Sequence, residues 1–197
     1  MKVSKIQQKK SKGFTGVLSL SLLIMLSCNS KPKQAEPTET PLQVKSIELK
    51  SAAFQQGQSI PTDLTCTGQD SSPELSWSAP PLETHTLALV MDDPDAPGGT
   101  WQHWLVYNIP GNSRSLSGTQ PAKERLENTA LQGTNDFEKL GYNGPCPPPG
   151  NNHRYYIRLY ALNKQLELKA GASRNDLDQA MQGHIIAQGE LMGTFKR

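Results

Sequence analysis

From residue 44 onward the sequence predicts an all-β domain with minor helices, and two observations carry that expectation: the apolar runs are short, and clusters of turn residues separate them. The first run, Val44 to Leu49, opens the domain. Gln69-Asp70-Ser71-Ser72-Pro73 then makes a turn, and Leu87 to Met91 is a second strand that ends in the turn Asp93 to Gly99. Trp104 to Ile109 follows, stopped by Pro110-Gly111-Asn112, and after the glycine- and proline-rich segment 141–152 comes Tyr155 to Leu162. One helix is expected near the end. Ser173 with Asp176 has the form of a capping box, Leu177, Ala180 and Met181 keep helical spacing, and Gly183 closes it. Glu190 to Phe195 makes the last strand. Strands of this length joined by tight turns read as antiparallel.

Parity along a strand assigns faces. His153, Tyr155, Ile157, Leu159 and Ala161 share one face, which reads as buried, while Arg154, Tyr156, Arg158 and Tyr160 share the other. An inward His153 needs a polar partner. By the same rule Trp101, His103, Leu105 and Tyr107 share a face, so His103 is expected among large apolar neighbours.

Residues 1–27 read as an export signal, with Lys2, Lys5, Lys9, Lys10 and Lys12 followed by the apolar run Val17 to Leu26. That run is too short to span a membrane. Met25-Leu26-Ser27-Cys28 resembles the bacterial lipobox, which makes Cys28 the expected lipidation site and the mature N-terminus. Residues 28–43 form a polar tether with three prolines and almost nothing apolar, leaving 44–197 as one domain. Loss of the five signal lysines takes the formal charge from +2 to −3, and no basic stripe remains, so nucleic acid is not an expected partner. The localisation implied is the cell envelope, outside the cytoplasm, with the membrane met through the lipid anchor alone. Cys66 and Cys146 are then an even pair in an oxidising compartment, open to a disulfide or to two separate thiols.

Three segments concentrate the chemistry: Asp92-Asp93-Pro94-Asp95-Ala96-Pro97, Trp101-Gln102-His103-Trp104, and Gly141 to Tyr155 with its glycines at 141, 144 and 150. Prolines 94 and 97 stiffen a loop that holds two carboxylates. The third segment can aim backbone N–H groups into an anion-favouring nest. Taken singly, each also reads as an ordinary turn or a packing residue. Taken together, in order and spacing, they resemble the signature of the phosphatidylethanolamine-binding protein family, in its bacterial Raf kinase inhibitor-like branch. Thr65-Cys66-Thr67-Gly68, Ser72 to Trp77, Asn135-Asp136-Phe137 and Gly193-Thr194-Phe195 extend the resemblance from about Ile47 to the C-terminus. Departures are Gln102, Glu138 and the extra asparagine in Asn151-Asn152.

The resemblance implies an antiparallel β-sandwich with a small pocket at one end for phosphate, acetate or a phosphorylated head group. Carried over residue by residue, the ligand-binding set is Asp93, Asp95, His103, Gly144, His153 and Tyr155, with Trp101 as a wall; Tyr107 and Trp77 are read as structural. Two carboxylates beside an anion are a difficulty. Either the aspartates pair with His103 and His153 and raise the imidazole pKa values, the favoured pairing being Asp93 with His103, or one carboxyl is held protonated and donates directly; Asp95 is expected to hold its own loop through backbone N–H groups. A binding protein for a small anionic or phosphorylated ligand is the leading expectation, with no cofactor and no catalytic residue, since there is no G-x-S-x-G elbow. Inhibition of an envelope protease or another protein is the alternative, and a metal-dependent hydrolase built on the two histidines and two aspartates the less favoured one.

Overall fold

The computed structural model describes residues 44–197; the expected export signal 1–27 and the expected tether 28–43, with the expected lipidation site Cys28, lie outside the described residues. Two sheets make the frame. The larger has six strands in the order β1-β9-β8-β4-β5-β7, formed by β1 (Lys45–Ser46), β4 (Thr86–Asp93), β5 (Trp101–Pro110), β7 (Leu131–Gln132), β8 (His153–Leu162) and β9 (Ile185–Phe195). The smaller has the order β2-β3-β6, from β2 (Leu49–Ser51), β3 (Leu75–Trp77) and β6 (Ser115–Leu116). Every pairing is antiparallel except β1 on β9.

The apolar side chains explain the layering. Leu49, Leu75, Trp77 and Leu116 of the small sheet pack with Leu87, Leu89, Met91, Trp104, Tyr155, Ile157 and Leu159 on the inner face of the large one. On the opposite face Ala88, Val90, Leu105, Tyr107 and Leu162 meet Leu177 and Met181 of α1 (Arg174–Met181). The large sheet is thus covered on both sides, which is why all eight residues of β4 are buried and no alternation shows there. The helix has its capping box: Ser173 Oγ accepts from the Asp176 N–H, and the Asp176 carboxylate accepts from the Ser173 N–H.

The expected strand Val44 to Leu49 is two strands. Lys45–Ser46 pairs with β9 in the large sheet and Leu49–Ser51 with β3 in the small one, so the chain changes sheets at Ile47, whose side chain is buried in the core between them. Alternation on β8 follows the sequence reading: His153, Tyr155, Ile157, Leu159 and Ala161 are buried, and their neighbours point outward.

On β5 the parity reading fails, and the ladder shows why. Met91 pairs with Trp104 and Asp92 with Gln102, so one residue of β4 step corresponds to two on β5, and His103 is the extra residue of a β-bulge. Leu105 and Tyr107 face the helix and pack with Val90, whereas His103 is turned to the inner face, edge-on to Tyr155 at 5.3 Å between ring centres.

Candidate functional site

A cavity of about 240 Å³ opens at the end of the large sheet, lined by Asp93, Ala96, Pro97, Trp101, His103, Phe137, Cys146, Pro147, Pro148 and His153. Strand β4 delivers Asp93, the bulge in β5 delivers His103, and the first residue of β8 is His153. The proline loops on either side supply rigid apolar walls.

The two histidines are held by different partners. His153 Nδ1–H donates to Asp93 Oδ2 at 2.8 Å, with both side chains buried. His103 Nδ1–H donates to the Asn143 carbonyl oxygen at 2.7 Å; a carbonyl only accepts, so the proton sits on Nδ1. The expected pairing of Asp93 with His103 is therefore corrected, because strand order puts β8 and not β5 within reach of the Asp93 carboxylate. Burial pushes the His103 imidazole below its ordinary value, against the raising effect of the Asn143 carbonyl and of Asp93. For this ring the sequence expectation had the opposite sign. In both rings Nε2 has no hydrogen-bond partner among the described residues.

Tyr155 lies in the core edge-on to His103, and its hydroxyl is buried beside Asp93, with no hydrogen-bond partner within 3.5 Å among the described residues. Burial, and then the nearby Asp93 carboxylate, push its pKa well up, so it remains a donor. Trp101 stands at the rim, 38% exposed, in edge-on contact with Phe137 at 5.5 Å. Phe137 also meets the His103 ring edge-on at 5.3 Å.

Asp95 and Gly144 have other tasks. The Asp95 carboxylate accepts from Nε and Nη2 and the backbone N–H of Arg154, and this pair holds its pKa down to about 2. The expected capping of its own loop belongs to Asp93, whose Oδ1 accepts the Asp95 N–H at 2.8 Å. Gly144 N–H donates to Asp70 Oδ1 at 2.6 Å, which takes it away from any anion nest. A Cβ at Gly144 would run into the Leu64 carbonyl and the Asp70 carboxylate, so close packing explains the glycine.

Three residues of the site escaped the sequence reading. Asp70 showed only as part of a turn, Phe137 only as part of a resembling tripeptide, and Asn135 likewise. Asn135 is buried; its Nδ2 donates to the Gly141 carbonyl and Asn143 Oδ1, and its Oδ1 accepts the Phe137 and Lys139 N–H groups. It joins the loop bearing Phe137 to the loop bearing Asn143. Cys66 and Cys146 are bonded, with Cα atoms 5.4 Å apart, and Cys146 lies in the cavity wall. Among the described residues no three His, Cys, Asp or Glu side chains converge in a way that could hold a metal ion.

The family model described as phosphatidylethanolamine-binding protein matches residues 50–196. The chain belongs to that family. A UPF0098 protein of Methanothermobacter thermautotrophicus is 46% identical over 151 residues, 77% of this chain and 99% of the relative. Among solved structures, a phosphatidylethanolamine-binding protein homologue from Chlamydia trachomatis aligns with a TM-score of 0.71 and 39% identity, over 78% of this chain and 99% of the other. Escherichia coli YbcL, described as a member of the mammalian family, aligns with a TM-score of 0.72 and 29% identity, over 77% and 98%. The sandwich is thus a phosphatidylethanolamine-binding protein fold, and this chain is a member of a binding-protein family.

Proposed function

We propose that this family member is a lipid-anchored binding protein of the cell envelope whose small cavity takes the phosphoryl or carboxylate group of a small ligand. The observation that carries the reading is the pair of buried imidazoles in the cavity wall, His103 and His153, whose Nε2 atoms have no hydrogen-bond partner among the described residues. A buried polar group left unsatisfied costs about 1–3 kcal/mol, and a ligand group that pairs with it removes that cost. At about 240 Å³ the cavity is smaller than the roughly 300–1,000 Å³ of pockets for drug-sized molecules, which fits a head group and not a whole lipid. Its lining offers no serine, lysine or free thiol as a nucleophile, so the reading is of binding without catalysis. The export pattern ending in Leu26-Ser27-Cys28 supports the anchor, and the Cys66–Cys146 bond fits an oxidising compartment.

Calorimetric titration of the full chain with inorganic phosphate tests the pocket: His103→Ala and His153→Ala should each weaken binding about tenfold or more. Phosphate affinity unmoved by both substitutions, or binding of Zn²⁺ alone, would overturn it. Cys28→Ser should shift the protein from the membrane to the soluble fraction, because acyl chains supply the anchoring energy.

A further inference from the structure

The cavity presents few polar atoms, and their hydrogen-bonding sense is fixed by what holds them. His103, a lining residue, spends its Nδ1 proton on the Asn143 carbonyl, so the lone pair of the neutral ring is on Nε2. Asp93 is a second acceptor in the wall, its Oδ2 taken by His153 and its Oδ1 by the Asp95 N–H. The Tyr155 hydroxyl is buried beside Asp93, behind the lining residues. No lysine or arginine lines the cavity. Gly144 N–H is taken by Asp70. Arg154 is paired with Asp95, and Arg197, beside Cys146 Sγ at 3.6 Å, is exposed to solvent.

A fully deprotonated tetrahedral dianion has acceptors on every side. It would set a negative oxygen against the His103 lone pair or the Asp93 carboxylate, with no fixed cation to offset the repulsion. A phosphoryl group that keeps one proton differs at one atom: its P–OH can donate to His103 Nε2. We propose that the cavity selects a phosphoryl monoanion carrying its own proton, and rejects dianions of the same shape. This rests on the anion-pocket reading above and names the ligand form that the pocket takes. The groups facing His103 are Asp93 on β4, Asp70 and the Asn143–Gly144 backbone from the loops, and Tyr155 on β8. Burial outweighs the raising effects among them, which keeps the ring an acceptor near neutral pH.

Sulfate is the probe, because it matches phosphate in shape and has no proton to give. In calorimetric titrations of the full chain at about pH 6, inorganic phosphate should bind about tenfold or more tightly than sulfate, the cost of an acceptor facing an acceptor. The ratio should shrink by about pH 8, as phosphate loses its proton. It should shrink also at strongly acid pH, where protonation of His103 turns its Nε2 into a donor. In His103→Gln an amide can donate, so the ratio at about pH 6 should move toward one; if that variant fails to fold, the wild-type comparison alone decides. Sulfate and phosphate binding equally well, or a ratio that does not respond to pH, overturns the selection and leaves an anion pocket standing. If neither binds, both readings are overturned.

Discussion

Asp92 and Asp93 are neighbours at the end of β4, buried to the same 3% exposure, and they face opposite ways. Asp92 looks toward the helix side, where its oxygens accept from Arg158 Nη1 at 2.7 Å and Arg174 Nη1 at 3.3 Å, and Arg158 is held in turn by Glu190. Asp93 looks into the cavity, where its partners are one histidine and the Asp95 backbone N–H of its own loop. The first carboxylate is saturated with fixed positive charge and ties β4, β8 and α1 together. The second is matched to an imidazole whose other ring nitrogen has no partner among the described residues. Identical side chains one residue apart thus serve cohesion on one face of the sheet and ligand chemistry on the other, and only the pleat separates the two.

The largest effect expected from disturbing this contrast comes from the cavity side. Replacing Cys66 and Cys146 by serine opens a loop of 80 residues and should lower stability by about 4–5 kcal/mol in the chain-entropy account, read as a fall in the urea midpoint. The same variant should lose phosphate binding more than it loses the Asp92 contacts, since Cys146 is in the cavity wall. Next is Asp92→Ala. Removing one member of a buried ionic network costs about 3–5 kcal/mol, and here about 2–3, because both arginines keep about a quarter of their side chains in water. Its phosphate affinity per folded molecule should hardly change, and a large loss would erase the proposed division between the two faces.

Asp95 gives the smallest effect. Its pair with Arg154 is half in solvent, so Asp95→Asn should cost less than about 1 kcal/mol at neutral pH. The pH dependence has a definite sign. Arg154 holds the folded carboxyl at about 2, below its ordinary 3.8, so its contribution is fully present above the ordinary value and fades as pH falls through about 2. Urea midpoints measured down through that window should fall less steeply in the variant than in the wild type. His103 works in the same direction at higher pH. Its folded value lies below 6.5, so the neutral ring's contribution is full above that and declines on acidification.

Much of this was legible in the sequence, and the parts that were not share a cause. The β8 row of His153, Tyr155 and Ile157 could be read because that strand pairs in regular register along the cavity end, so period two holds. The capping box at Ser173 is local and needed nothing from the rest of the chain. His103 was assigned the wrong face because a bulge is a property of the pair β4 and β5, and neither strand's own pattern marks it. The partners of Asp93, Asp95 and Gly144 were misassigned for a related reason: each is met across the fold, by His153, Arg154 and Asp70 respectively. The short strands β3, β6 and β7 have two or three residues each, too few for periodicity to register.

The bulge at His103 also bears on how such a site is inherited. Loss of the single codon at Gln102 would restore an unbroken ladder from Asp93 to Met91, and every residue lining the cavity would still be encoded. The imidazole would then obey the plain alternation of β5, which sets position 103 apart from Trp104. A lineage can therefore discard this pocket by a one-residue deletion while keeping its aspartates, its prolines and its disulfide, and a relative with all three signature segments but a shortened Trp101–Trp104 interval would be one in which the fold has outlived the site.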